Sequence, residues 1–211
     1  MEKEKQGEQN MTVNRSVGLI ILVALTLFQC GGRVPEIHYY LIDFPVVAPH
    51  EKIAPTHPIS LGVLRFDAAP LYQEERLVYR DSPYEGKYYH YHRWVSHPAQ
   101  MITEKTIEYL RATNMFGQVV PFPKFSEVDY LLQGTIKALE EWDEGDQWYA
   151  RVQIGFEVTD RKNQQLFWHG LIEKKVPAQK KTPGEIVRAI NSAVQQCLSE
   201  LELQLKGNLM K

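Results

Sequence analysis

The chain has 211 residues, 24 Lys and Arg against 26 Asp and Glu, 44% hydrophobic residues and 11% aromatics. That is enough for one good-sized domain with its own core, and the ordinary charge content argues against disorder. A formal net charge of −2 removes the electrostatic case for nucleic acid, and two cysteines cannot build a disulfide scaffold.

The N-terminus stands apart from the rest. Val17–Phe28 (VGLIILVALTLF) is a run of twelve uncharged residues. A membrane-crossing helix needs about 20 apolar residues, so this run has instead the length of a signal-peptide core. Glu2, Glu4 and Glu8 suit such a leader poorly, and a start at Met11 gives the compact leader MTVNRSVGLIILVALTLFQC. The run ends at Cys30, with Leu27 three positions before it and Gly31 and Gly32 after it. This resembles the lipobox of bacterial lipoproteins, in which cleavage before the cysteine leaves it to carry acyl chains such as palmitate. Gln29 stands where Gly, Ala or Ser is the usual residue. Several acyl chains on one residue suffice for stable anchoring. Gly31 is not the Asp that resembles an inner-membrane retention signal, so the expected address is the outer membrane, with the body facing the periplasm. The expected organisation is a signal peptide over 1–29, a lipid-anchored tether over 30–36 and one domain over 37–206.

Within the domain, Ile37–Phe44 (IHYYLIDF) reads as a strand, being rich in β-branched and aromatic residues. Pro45, Pro49, Pro55 and Pro58 fall within fourteen positions, too dense for a helix or a central strand, so this stretch reads as an extended linker. Ile59–Phe66 is a second strand, and Arg76–Arg80 with Lys87–Val95 suggests a hairpin around Ser82–Gly86. Ser96 and Pro98 are expected to open a helix to about Asn114, with Ala99, Ile102, Thr106, Tyr109 and Leu110 on one stripe.

Val128, Tyr130, Leu132, Gly134, Ile136 and Ala138 alternate as one strand face. Trp148, Ala150, Val152, Ile154, Phe156 and Val158 form another, and Glu140–Gln147 reads as the polar turn between the two. Gln165–Glu173 is a further strand. Thr182-Pro183-Gly184-Glu185 has the form of a capping box opening a long C-terminal helix. Its seam is Val187, Ile190, Val194, Cys197, Leu198, Leu201 and Leu205. The expected fold is a single α/β domain, a mixed sheet of about five or six strands with two helices packed on it, including this long C-terminal helix.

Candidate chemistry is thin. His90, His92 and His97 lie among Tyr84, Tyr88, Tyr89 and Tyr91, but no carboxylate or cysteine stands at matching ligand spacing, so an exposed strand is the favoured reading over a metal site. Glu140, Glu141, Asp143, Glu144 and Asp146 lack the alternation of a calcium loop and read as a solvated hairpin tip. Ser96, His97 and Asp129 could be assembled into a triad on paper only. There is no G-x-S-x-G, H-E-x-x-H, P-loop or G-x-G-x-x-G motif. Cys197 sits in the helical seam, where a buried inert thiol is expected. No catalytic, cofactor-binding or metal residue is assigned, and the chain reads as no enzyme.

Taken together, Cys30 with Tyr39-Tyr40-Leu41, the strand ISLGVLRFDAAPLY, Arg76-Leu77-Val78-Tyr79-Arg80, Arg93-Trp94 before the first helix, Gly134 and Phe156 in the strand pair and the terminal amphipathic helix resemble the ABC-type transport auxiliary lipoprotein family, which includes the lipoprotein component of Pqi-type systems. The resemblance implies a lipid-anchored, periplasm-facing subunit without catalysis of its own. Its implied partners are an ABC permease and ATPase and a periplasmic mammalian-cell-entry (MCE) domain protein that move lipid between membranes. It leaves self-association into a homo-oligomer open. An outer-membrane assembly lipoprotein and a periplasmic hydrolase are the rival readings. Tyr72, Tyr79, Tyr88 and Tyr91 are the candidate partner surface, because tyrosine is enriched where proteins dock.

Overall fold

The computed structural model describes residues 35–46, 57–123 and 127–209, and the chain divides into Met1–Glu36 and Ile37–Lys211. The leader, Cys30 and most of the proline-rich linker lie outside the described residues. In the larger unit the elements are β1 (His38–Tyr40), β2 (His57–Val63), β3 (Asp67–Ala68), β4 (Arg76–Ser82), β5 (Glu85–Trp94), α1 (Pro98–Ala112), β6 (Phe116–Pro121), β7 (Tyr130–Glu144), β8 (Gln147–Asp160), β9 (Gln165–Pro177) and α2 (Pro183–Leu209). A 3-10 turn, Pro70–Tyr72, lies between β3 and β4.

The mixed α/β architecture with a long C-terminal helix is as expected, but among the described residues the sheet has nine strands rather than five or six. Seven of them are the segments read as strands from the sequence, already more than the five or six expected of the sheet; the two not read are β3, only two residues long, and β6, whose Gly117 and Pro121 hide it. β7 is the spine. One side of it pairs antiparallel with β8 along its whole length, and β9 continues from β8 as the outer strand. The other side meets β2, then β3, then β4, all in parallel. β5 joins β4, and β1 closes that wing beside β5.

Burial follows period on β8: Ala150, Val152, Ile154, Phe156 and Val158 are all essentially inaccessible. The same holds for the seam of α2, where Val187, Ile190, Val194, Cys197, Leu198, Leu201 and Leu205 are buried against the sheet. On α1, Ala99, Ile102, Thr106 and Leu110 are buried and Tyr109 half-buried. The N-cap of α1 is His97 and not Ser96, and no side chain caps it. At α2 the Glu185 amide donates to the Thr182 hydroxyl at 3.4 Å, half of the expected capping box, while the Glu185 carboxylate pairs with Arg188 instead.

Two places depart from simple alternation. Between Ile136 and Ala138 the β7–β8 register slips by one residue, so the phase of β7 inverts beyond it. The expected turn over Glu140–Gln147 is therefore incorrect: β7 runs on through Glu144, and only Gly145 and Asp146 make the connection. Gly145 takes φ of 67°, which a two-residue hairpin needs and a side chain disfavours. The second departure is the segment after β1, which leaves the strand early and is strapped to both helices. Asn191 of α2 accepts from the Asp43 amide and donates to the Leu41 carbonyl, at 2.7 and 3.1 Å. From α1, the buried ammonium of Lys105 reaches Asp43 at 2.6 Å and Glu108 at 2.7 Å.

Candidate functional site

Once the phase of β7 inverts, Glu140 and Glu141 occupy consecutive strand positions and point to opposite faces. Both are nevertheless buried, at 0% and 1% exposure. A carboxylate removed from water needs charged or hydrogen-bonding partners, and each has found different ones.

Glu140 sits among cations. Arg151, directly across from it on β8, donates at 3.1 Å and also reaches Glu173 of β9 at 2.8 Å. Arg80 of β4 lies 3.6 Å away, and the Tyr72 hydroxyl donates to Oε2 from the 3-10 turn. Both guanidiniums lie over the Trp142 ring, at 5.2 and 5.9 Å from its centroid. Burial, followed by the neighbouring carboxylate of Glu140, raises the Tyr72 hydroxyl well above its ordinary range, so it stays a donor. The group is a closed ionic knot tying β4, β7, β8 and β9 to the turn. Its carboxylate is already saturated by partners, which suits holding strands together and not reacting with a substrate.

Glu141 has one neutral partner, the Tyr89 hydroxyl, donating at 2.8 Å. Burial, reinforced by the charge of Asp143 and opposed by Tyr89 and Lys181, pushes its carboxyl up to about 7. From Tyr89 an aromatic string continues to β1. The Tyr89 ring meets Tyr79 at 4.9 Å and His92 edge-on at 5.3 Å, and His92 stacks on His38 and hydrogen-bonds Tyr40 at 2.9 Å. Burial, with the charge of His38, lowers His92 from its ordinary range. A carboxyl near neutrality is the kind of group that serves as a general acid or base, but such a group must reach a substrate. Among the described residues, surface grooves of about 330–510 Å³ are lined by residues other than Glu140 and Glu141. Because the two glutamates face opposite ways, they also cannot act as a carboxylate pair on one bond.

The residues singled out from the sequence are scattered. Tyr72 is only 4% exposed and committed to Glu140, so it is not available for docking as expected. Tyr79 and Tyr88 are half-buried, Tyr88 donating to the Leu71 carbonyl at 3.2 Å beneath the guanidinium of Arg76. Tyr91 is 44% exposed. His90 is exposed beside Tyr91, and His97 bonds the Gln73 carbonyl. Among the described residues, no three His, Cys, Asp or Glu side chains are grouped to hold a metal ion. Asp129 accepts from the Ser60 amide and hydroxyl, both at 2.7 Å, which hold its carboxyl below the usual range; its partners are thus neither Ser96 nor His97. Cys197 is fully buried, and its thiol is pushed up to about 12 by that burial. The acidic run from Glu140 to Glu144 is the feature that sequence reasoning misplaced. The signal available was the pair of arginines, Arg80 and Arg151, each on an otherwise strand-like stretch.

A family profile described as ABC-type transport auxiliary lipoprotein component matches residues 40–202. Among solved structures, protein XCC0632 from Xanthomonas campestris superposes with a TM-score of 0.69 at 17% identity, over 78% of this chain and 91% of that one. An uncharacterized protein gives 0.66 at 15% identity, over 81% and 99%. The PelC dodecamer from Paraburkholderia phytofirmans gives 0.45 at 14% identity, over 70% and 91%. At these identities the first two structures show the fold that this chain shares with them. No curated protein matches it.

Proposed function

Because this chain belongs to the ABC-type transport auxiliary lipoprotein component family, a family of lipid-anchored, membrane-associated proteins, we propose that it is the non-catalytic docking subunit of an ABC transport system that moves lipid between membranes. It is held at the outer membrane by acyl chains on Cys30, and its body faces the periplasm. Its partners are an MCE-domain periplasmic protein and, through it, the permease and ATPase. The observation that carries the non-catalytic part is the disposition of the two buried glutamates. Glu141, whose carboxyl burial pushes up to about 7, is itself buried in β7, and its buried neighbour Glu140 is saturated by Arg80, Arg151 and Tyr72.

With Tyr72 withdrawn, the β4–β5 hairpin carries the remaining candidate contacts, Tyr79 and Tyr88. Both are half-buried aromatics beside neighbouring cations, and tyrosine is enriched among docking residues. Affinity isolation of the full-length chain from solubilised membranes tests the reading. The unsubstituted chain should bring down an MCE-domain protein with the transporter, and Tyr79→Ala with Tyr88→Ala should weaken that recovery. A chain that comes down without them, while hydrolysing a periplasmic ester or peptide, would support the hydrolase alternative.

A further inference from the structure

Among the described residues β1 is an edge strand, paired with β5 alone. Its register sets Tyr39 beside Arg93 on one face, and His38 beside His92 and Tyr40 beside Trp94 on the other. The second face is buried at Trp94, 1% exposed, and half-buried at Tyr40 and His92, while Tyr40 and the exposed His38 both stack on the His92 ring. Tyr39 and Arg93 share the first face by register; Ile37 and Leu41 flank β1 on either side of Tyr39, and Tyr91 and Val95 flank Arg93 at the end of β5. This face is turned to solvent. Ile37, Tyr39, Leu41 and Val95 are 40%, 59%, 56% and 45% exposed, respectively. Arg93 is half-buried, and its Nε is buried without a hydrogen-bond partner.

The position of this stripe along the chain says what meets it. Ile37 follows Cys30 by seven residues, and seven residues span at most about 25 Å even when fully extended. Chain length alone thus keeps Ile37 within about 25 Å of an acylated Cys30. Aliphatic side chains beside a tyrosine ring, with a guanidinium among them, match the chemistry of that layer: apolar carbon below, amphipathic aromatics at the interface, phosphate above. Arg76 lies across from Arg93 on β4, with its guanidinium paired to Glu74 at 2.6 Å.

We infer that the outward face of β1, with Arg93 and Val95 of β5, rests on the phospholipid bilayer that holds the anchor, and so fixes which way the body faces its partner. This rests on the anchoring of Cys30 and not on the transporter partnership. Tyr91 continues the stripe and belongs to the bilayer rather than to the protein partner, leaving Tyr79 and Tyr88 for docking.

The test uses full-length acylated protein in liposomes of phosphatidylethanolamine and phosphatidylglycerol, with no other protein present. An environment-sensitive fluorophore is attached through Tyr39→Cys or Leu41→Cys. Comparison sites are Tyr84→Cys at the hairpin tip, 97% exposed, and Leu171→Cys on β9, 62% exposed. Cys197 is buried and stays unlabelled. Spin-labelled phospholipid should quench the probes at positions 39 and 41 several-fold more than those at 84 and 171. Equal quenching at all four sites overturns the inference, as does a chain that fails to stay with the liposomes, since the anchor is then absent. If membranes containing the transporter shield positions 39 and 41 from aqueous quenchers while lipid quenching is lost, a protein covers the stripe and the inference is wrong. Because the liposomes hold no partner, failure of the docking reading leaves this result unchanged.

Discussion

Glu140 and Glu141 are neighbours in the chain, and the fold buries both while sending them to opposite faces of β7. One is held among cations and the other beside a single phenol, so consecutive residues of the same chemistry should behave differently when perturbed.

Removing the charge of Glu140 leaves Arg80, Arg151 and the Tyr72 hydroxyl around a neutral group. Breaking one partner of a buried ionic cluster costs about 3–5 kcal/mol, and the partial exposure of both arginines places Glu140→Gln near the low end. Urea denaturation reads this directly. A loss near zero would show that the knot contributes no net stability.

Glu141 should make stability depend on pH with a definite sign. Its carboxyl is raised from an ordinary 4.5 to about 7 by burial, so the folded chain keeps a proton that the unfolded chain gives up. Stability is therefore greatest below the unfolded value. It falls as pH rises through this window, by at most about 3 kcal/mol, and levels off above about pH 7. Glu141→Gln keeps an acceptor for Tyr89 and should lack this part of the fall. Urea midpoints at about pH 5 and about pH 8 check it, and identical pH dependence in the two proteins would contradict the assignment.

Gly134 should resist substitution although it lies in a strand. A β-carbon there would come within 2.4 Å of the Phe66 ring, which itself meets Phe156 edge-on at 5.9 Å. Gly134→Ala should then cost about 1–3 kcal/mol by overpacking, against about 2–5 kcal/mol for the cavity left by Leu201→Ala in the α2 seam. Thermal unfolding should show both as destabilised; a stabilised Gly134→Ala would mean Phe66 can move aside.

The α2 seam and the inward face of β8 were legible in the sequence because their apolar residues repeat at helical and strand periods without interruption. The far half of β7 was not. Its phase slips near Lys137, so the alternation that identifies Leu132 to Ile136 stops carrying information beyond it. Its charged residues also read as solvated until Arg80 and Arg151, 60 and 11 positions away from Glu140, are brought beside it. Tyr72 was misjudged for the same reason: its hydroxyl is buried by a partner 68 residues on. The exposed β1 stripe was hidden differently. IHYYLIDF reads as one strand, while the straps from Asn191 and Lys105 pull Leu41 to Phe44 out of it.

Cys30 should be the acylated first residue of the mature chain, and Cys30→Ser should release the body or leave an uncleaved precursor. Among the described residues no helix is long and apolar enough to cross a membrane. Mass spectrometry of the N-terminal peptide decides the matter: a diacylglyceryl-modified Cys30 is expected, and an unmodified Cys30 or a mature chain beginning elsewhere would remove the anchor.

Native mass spectrometry of the full-length chain, released from its own membrane in mild detergent, tests the docking role most directly. The predicted spectrum shows the acylated chain in one assembly with an MCE-domain protein and no separate phospholipid bound to its body. A chain that flies alone, or only with copies of itself, and carries phospholipid stoichiometrically would make it a carrier and contradict the docking role.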